Sequence, residues 1–144
     1  MSKIIFFGTP DVAVTTLSAL CDAGYVPSVV VTAPDRRQGR GMRLTASPVK
    51  EYAIEKGIPI LQPEKLDDAF IAEVAAYKPD LSIVIAYGKI IPESLINLPR
   101  LGTINIHYSL LPRWRGASPI ESAILAGDTE TGIAIQQMVY ELDA

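Results

Sequence analysis

A doubly wound α/β sheet, mostly parallel and covered by helices on both faces, is the fold class that this chain predicts. Two observations point to it. The apolar runs at residues 4–7, 26–31 and 81–86 show no polar alternation, which is the signature of strands buried on both faces. Segments with helical spacing separate them, so strand and helix alternate along the chain as a parallel sheet with crossover helices requires.

The elements follow in order. Residues 4–7 form a buried strand ended by Gly8-Thr9-Pro10-Asp11. Thr9 is the expected N-cap and Pro10 the first helical residue, where a missing N–H costs nothing. Val12, Leu17, Leu20 and Cys21 then make one helical face, closed by Gly24. Residues 26–31 are the next strand. Residues 33–46 have no hydrophobic period and hold Gly39, Gly41 and four arginines, so a long exposed loop is expected. Ser47-Pro48 opens a helix to about Lys56, residues 57–61 give a short strand, and a helix runs from about Asp67 to Tyr77. Residues 81–86 are strand, 92–97 a helical turn and 103–107 strand. Ser118-Pro119-Ile120-Glu121 has the capping-box spacing, and Gly127 closes the helix that it opens. Residues 132–139 are the last strand.

The 144 residues, 49% of them hydrophobic, suit a single globular domain. A net charge of −3 argues against bulk electrostatic coating of nucleic acid or membrane, but the distribution of charge is uneven. Six of the seven arginines fall in two segments: Arg36, Arg37, Arg40 and Arg43 in one, Arg113 and Arg115 in the other. No acid lies between Asp35 and Glu51, so the first segment is a basic loop suited to a polyanion, although many charge runs are merely solvated. Trp114, between the second pair, is either a packing anchor or a platform for a flat ring. The lone Cys21 excludes an internal disulfide and a cysteine zinc site, and no metal is expected. No apolar run approaches the roughly 20 residues of a membrane span, and a cytoplasmic protein is the expectation.

Asn105 and His107, the latter the chain's only histidine, stand two residues apart at the end of a strand. That spacing directs both to one face. In an open α/β sheet ligands bind beyond the carboxyl ends of the strands, which is where His107 and the Gly8 turn fall. An amide and an imidazole aimed together can stabilise an oxyanion, and the imidazole can also carry the proton of an attacking amine. A lone histidine is more often structural; Asn105 beside it shifts the balance. The carboxylate needed to orient it must come from elsewhere, and Asp143, after the last strand at the same expected edge of the sheet, is the best placed candidate, although spacing alone favours an exposed terminal charge. Gly8 lacks the spacing of a dinucleotide-binding turn.

These residues are similar to a known family. The motifs Phe7-Gly8-Thr9-Pro10-Asp11, Pro34-Asp35-Arg36, Ser47-Pro48-Val49-Lys50, Ala86-Tyr87-Gly88, Asn105-Ile106-His107, Ser109 to Gly116 and Leu142-Asp143 resemble the N-terminal part of the bacterial methionyl-tRNA formyltransferases. Asn-x-His and Ser-Leu-Leu-Pro are shared with the wider 10-formyltetrahydrofolate-dependent formyltransferases; the Arg/Gly loop and Arg-Trp-Arg-Gly narrow the resemblance. It implies a Rossmann-like fold and transfer of a formyl group from 10-formyltetrahydrofolate to the α-amino group of initiator methionyl-tRNA. Asn105, His107 and Asp143 would be the catalytic triad that stabilises a tetrahedral intermediate. Ser109, Leu110, Leu111 and Pro112 would bind the tetrahydrofolate, and Arg36, Arg37, Arg40 and Arg43 the tRNA. The resemblance further implies a monomer in which residues 1–144 are the N-terminal catalytic domain, cut short near its C-terminal end, with the family's C-terminal barrel outside this chain. Tyr108 departs from the family, which has a small residue or proline there. Two other readings stand beside this one: a formyltransferase acting on a sugar-nucleotide amine, and a non-catalytic nucleic-acid or folate-binding module.

Overall fold

A computed structural model describes residues 2–38, 41, 43–107 and 134–137. In it, β1 (Ile4–Gly8), β2 (Val29–Val31), β5 (Ile60–Leu61), β6 (Leu81–Ile85), β7 (Thr103–His107) and β8 (Ala134–Gln137) form one sheet in the order β5-β2-β1-β6-β7-β8. The first five in that order run parallel, and β8 is antiparallel to β7. The chain winds outward from β1 to β2 and β5, then returns to β6 on the other side of β1. The switch point therefore lies between β1 and β6.

The helices α1 (Asp11–Asp22), α2 (Pro48–Lys56), α3 (Asp68–Ala75) and α4 (Glu93–Ile96) divide between the faces. Ile4, Phe6, Val30, Ile83 and Ile85 point into a core with Ala13 and Leu17 of α1 and Val49 and Ala53 of α2. Ile5, Phe7, Val29, Val31 and Val84 point the other way, to Phe70 and Val74 of α3 and Leu95 and Ile96 of α4. Each strand thus alternates between two apolar cores rather than between core and water, which is why its sequence shows no polar alternation. Every fully buried Val or Ile there contributes roughly 1.5–3 kcal/mol.

Several local expectations change. Pro10, not Thr9, is the N-cap of α1, with no side-chain cap bond, because the Thr9 hydroxyl is turned to the neighbouring loop and donates to Tyr87 O at 2.9 Å. Residues 36–38 and 43–45 are not structureless: β3 (Arg36–Gln38) and β4 (Arg43–Thr45) pair as an antiparallel hairpin. No hydrophobic period reveals it, because the hairpin covers no core. Strand β2 begins at Val29, since Val26 is 54% exposed, and α3 begins after Asp67, whose carboxylate caps it by accepting from Phe70 N at 3.0 Å. The last strand is antiparallel, so Gln137 pairs with Ile104 while Ala134 pairs with His107. It does not deliver its C-terminal end to the edge where His107 lies.

Ser47 caps α2 as the sequence predicts, accepting from Lys50 N at 3.0 Å. At the amino edge of the sheet Asp80 accepts from Lys3 N at 2.8 Å and from Arg100 Nε at 3.1 Å, tying the entry of β1 to the turn before β7. These bonds hold its carboxyl below the ordinary range, the Lys3 N–H more than the guanidinium. Thr103 is buried, with its hydroxyl donating to Ile96 O at 2.7 Å, which sets the start of β7.

Candidate active site at the carboxyl edge of the sheet

The parallel strands end together at Gly8, Val31, Leu61, Ile85 and His107, and the loops that leave them are bound to one another. After β1, the Thr9 hydroxyl bridges Tyr87 O and Ala33 N, at 2.9 and 3.4 Å, joining the loops after β1, β6 and β2. The carbonyl of Thr9 accepts from Val49 N of α2 at 3.3 Å. Lys89 donates to Pro63 O and Glu64 O at 3.2 and 2.6 Å, joining the loop after β6 to the one after β5.

Close packing sets this edge. A Cβ on Gly8 would lie 2.7 Å from Ala13 Cβ, 2.9 Å from Phe6 Cε1 and 3.0 Å from Ile85 O, so only glycine lets α1 and β6 approach β1 there. Ala86, the residue after β6, has φ +51°, a left-handed conformation that costs an L-residue roughly 1–2 kcal/mol. Strain of this kind is typical of sites the surrounding structure over-determines. Tyr87 next to it is 3% exposed and packs edge-on against Phe7, ring centroids 5.4 Å apart and planes at 75°. Among the described residues its hydroxyl has no hydrogen-bond partner, and burial pushes its pKa up to about 12.

The expected site residues fall into three groups. Asn105 is half-buried within β7, paired with Val84 on one side and Gln136 on the other, and it holds an interaction with its surroundings. The backbone of His107 closes the same strand two positions further on, at the carboxyl edge beside the switch point. Arg36, Arg37 and Arg43 lie exposed on the hairpin, which is rooted at that edge between β2 and α2. Arg40, Tyr108, Ser109, Leu110, Leu111, Pro112, Trp114 and Asp143 lie outside the described residues. Asp143 stands six positions beyond Gln137, the last residue of the antiparallel β8.

Sequence reasoning missed a polar cluster at the foot of the hairpin. Asp35 accepts from Lys50 Nζ at 3.1 and 3.0 Å and from Gln62 Nε2 at 2.8 Å. Gln62, and secondly Lys50, hold the Asp35 carboxyl below the ordinary carboxylate range. The signal was present: Asp35 is the last acid before the acid-free stretch, and Lys50 closes it. Among the described residues no group of three His, Cys, Asp or Glu side chains could hold a metal, and no helix is long and apolar enough to cross a membrane. The exposed arginines of the hairpin suit recognition of a polyanion at this edge.

The profile of the formyl transferase family matches residues 2–144. A methionyl-tRNA formyltransferase of Methylobacillus flagellatus is 55% identical over 143 residues, covering 99% of this chain and 46% of its own. Its counterpart from Sulfurihydrogenibium is 46% identical over 144 residues, with 99% and 46% covered. The chain thus spans about half the length of these relatives. Among solved structures, glycinamide ribonucleotide transformylase 1 from Geobacillus kaustophilus matches with a TM-score of 0.65 at 20% identity, covering 100% of this chain and 78% of that one. A formyltetrahydrofolate deformylase from Pseudomonas syringae matches at 0.59 and 21%, covering 100% and 48%. These two likenesses establish the fold.

Proposed function

Because this chain belongs to the formyl transferase family, we propose that it carries the chemistry of a methionyl-tRNA formyltransferase, moving a formyl group from 10-formyltetrahydrofolate to the α-amino group of initiator methionyl-tRNA. Residues 1–144 are then its N-terminal catalytic domain. The observation that carries this reading is the placing of Asn105 and His107 on one strand at the carboxyl edge, with an arginine hairpin rooted at the same edge. One end of the site suits an acyl oxyanion and the other a phosphate backbone.

In the reaction the methionyl α-amine forms a bond to the formyl carbon, the bond from that carbon to the folate nitrogen breaks, and the surplus proton of the amine passes to that nitrogen. Asn105 and protonated His107 supply donors to the formyl oxygen as it gains charge. Asp143 orients the imidazole and keeps it charged, and Ser109, Leu110, Leu111 and Pro112 hold the folate. A neutral amide and an imidazole are donors suited to that oxygen, and β7 holds no carboxylate to repel it. Arg36, Arg37, Arg40 and Arg43 contact the tRNA.

The test is acceptor choice. Residues 2–144 are grafted in place of the matching segment of the Methylobacillus enzyme, and transfer to methionyl-tRNA is compared with transfer to a sugar-nucleotide amine. Replacing the four arginines by serine is expected to abolish most transfer to methionyl-tRNA at sub-saturating concentration. Preference for the sugar-nucleotide, indifferent to those arginines, contradicts the reading.

A further inference from the structure

The hairpin β3–β4 forms its own two-stranded sheet, hydrogen-bonded to no other strand among the described residues, so its direction is set by its two roots. A polar clasp joins those roots. Asp35, directly before β3, accepts from Lys50 Nζ of α2, the helix that follows β4, at 3.1 and 3.0 Å. Gln62, beyond β5, donates to Asp35 Oδ1 at 2.8 Å and to Ala33 O at 3.1 Å. The hydroxyls of Thr32 and Ser47 meet at 2.7 Å beside them. The Lys50 and Asp35 side chains are 22% and 31% exposed, so water screens the pair only in part. The register then sorts the arginines. Arg36 faces Thr45 and Arg43 faces Gln38, which sets Arg36 and Arg43 on one face, with Arg37 and Leu44 on the other.

We propose that Asp35, Lys50 and Gln62 are positioning residues, a clasp that holds the hairpin where Arg36 and Arg43 meet the phosphates of an RNA acceptor end. The inference rests on the tRNA reading above. None of the three needs to touch RNA. With the clasp open the hairpin samples other directions, the competent fraction falls, and the apparent dissociation constant rises by the inverse of that fraction. The number of phosphates neutralised in the bound state is unchanged, so the slope of log affinity against log salt stays the same. Bulk electrostatics makes the opposite prediction for Asp35, because removing an acid from beside three arginines should tighten binding to a polyanion.

The experiment titrates a labelled RNA hairpin carrying an acceptor stem with the full chain over a series of salt concentrations. Asp35→Ala and Lys50→Met are expected to weaken binding about three- to tenfold at constant salt slope. Arg36→Ser lowers the slope by about 1. Asp35→Glu and Lys50→Arg, which can remake the ion pair, recover most of the affinity. Thermal melts show that each variant folds, and Asp35→Asn, which keeps the shape without the charge, replaces Asp35→Ala if that variant does not. Equal or tighter RNA binding by a folded Asp35→Ala or Asp35→Asn protein overturns the clasp, as does a changed slope. Wild-type binding that is absent or indifferent to salt overturns the tRNA reading, and the clasp with it.

Discussion

Replacing Tyr87 by phenylalanine removes one buried hydroxyl oxygen. The ring is 3% exposed and packed against Phe7 at 5.4 Å, and among the described residues its hydroxyl lacks a partner. An unpaired buried hydroxyl costs roughly 1–3 kcal/mol, so at pH 8 the phenylalanine variant should be more stable by about 1 kcal/mol. The pH dependence is sharper. Burial pushes the Tyr87 pKa up to about 12, while an unfolded tyrosine ionises near 10. A group raised on folding contributes stability that is whole below its unfolded value and is lost as pH rises through its folded one. Wild type therefore loses about 2 kcal/mol between pH 10 and 12 through this group, about half of it by pH 11, and the variant does not. Urea denaturation followed by circular dichroism at pH 8, 10 and 11 measures the gap. A gap that ignores pH, or a variant less stable than wild type by more than about 1 kcal/mol at pH 8, refutes the reasoning.

Two further predictions concern the frame. Gly8→Ala places a methyl 2.7 Å from Ala13 Cβ and 3.0 Å from the Ile85 carbonyl. Urea denaturation should show a loss of about 2 kcal/mol, and a change under about 0.5 would mean that α1 and β6 yield freely. The Asp80 carboxyl is lowered by Lys3 N–H and then by Arg100, so its contribution is present above its ordinary value of 3.8 and lost as pH falls through its lowered one. Asp80→Asn should thus be less stable at pH 7 and converge with wild type in acid. Parallel stability curves from pH 7 to pH 2 would exclude this assignment.

The main sheet was legible because its strands are buried on both faces. Ile4 to Phe7 face two cores alternately, and an uninterrupted apolar run is the only sequence that allows this. The hairpin was not legible. Arg36, Arg37, Arg43 and Leu44 cover no core, so strand pairing there leaves no period to read. The direction of β8 escaped for a related reason, since apolar content marks a strand without saying which way it runs. At the site, the strand that carries Asn105 and His107 was legible from its apolar run. The Asp35, Lys50 and Gln62 clasp was legible only as the acid and the lysine that bound the acid-free stretch, because its members come from three segments that only the fold brings together. Thr9 misled for the same reason: its capping pattern is local, while its partners Tyr87 and Ala33 are distant in the chain.

The most direct measurement is single-turnover formyl transfer to methionyl-tRNA by the grafted enzyme with Asn105→Ala, both substrates saturating. Removing one oxyanion donor should slow the transfer step about 10²–10³-fold. Binding of the folate and the tRNA should hardly change. A variant that transfers formyl within about threefold of the parent rate would show that Asn105 does not face the reacting oxygen, against the central claim that β7 carries the catalytic pair.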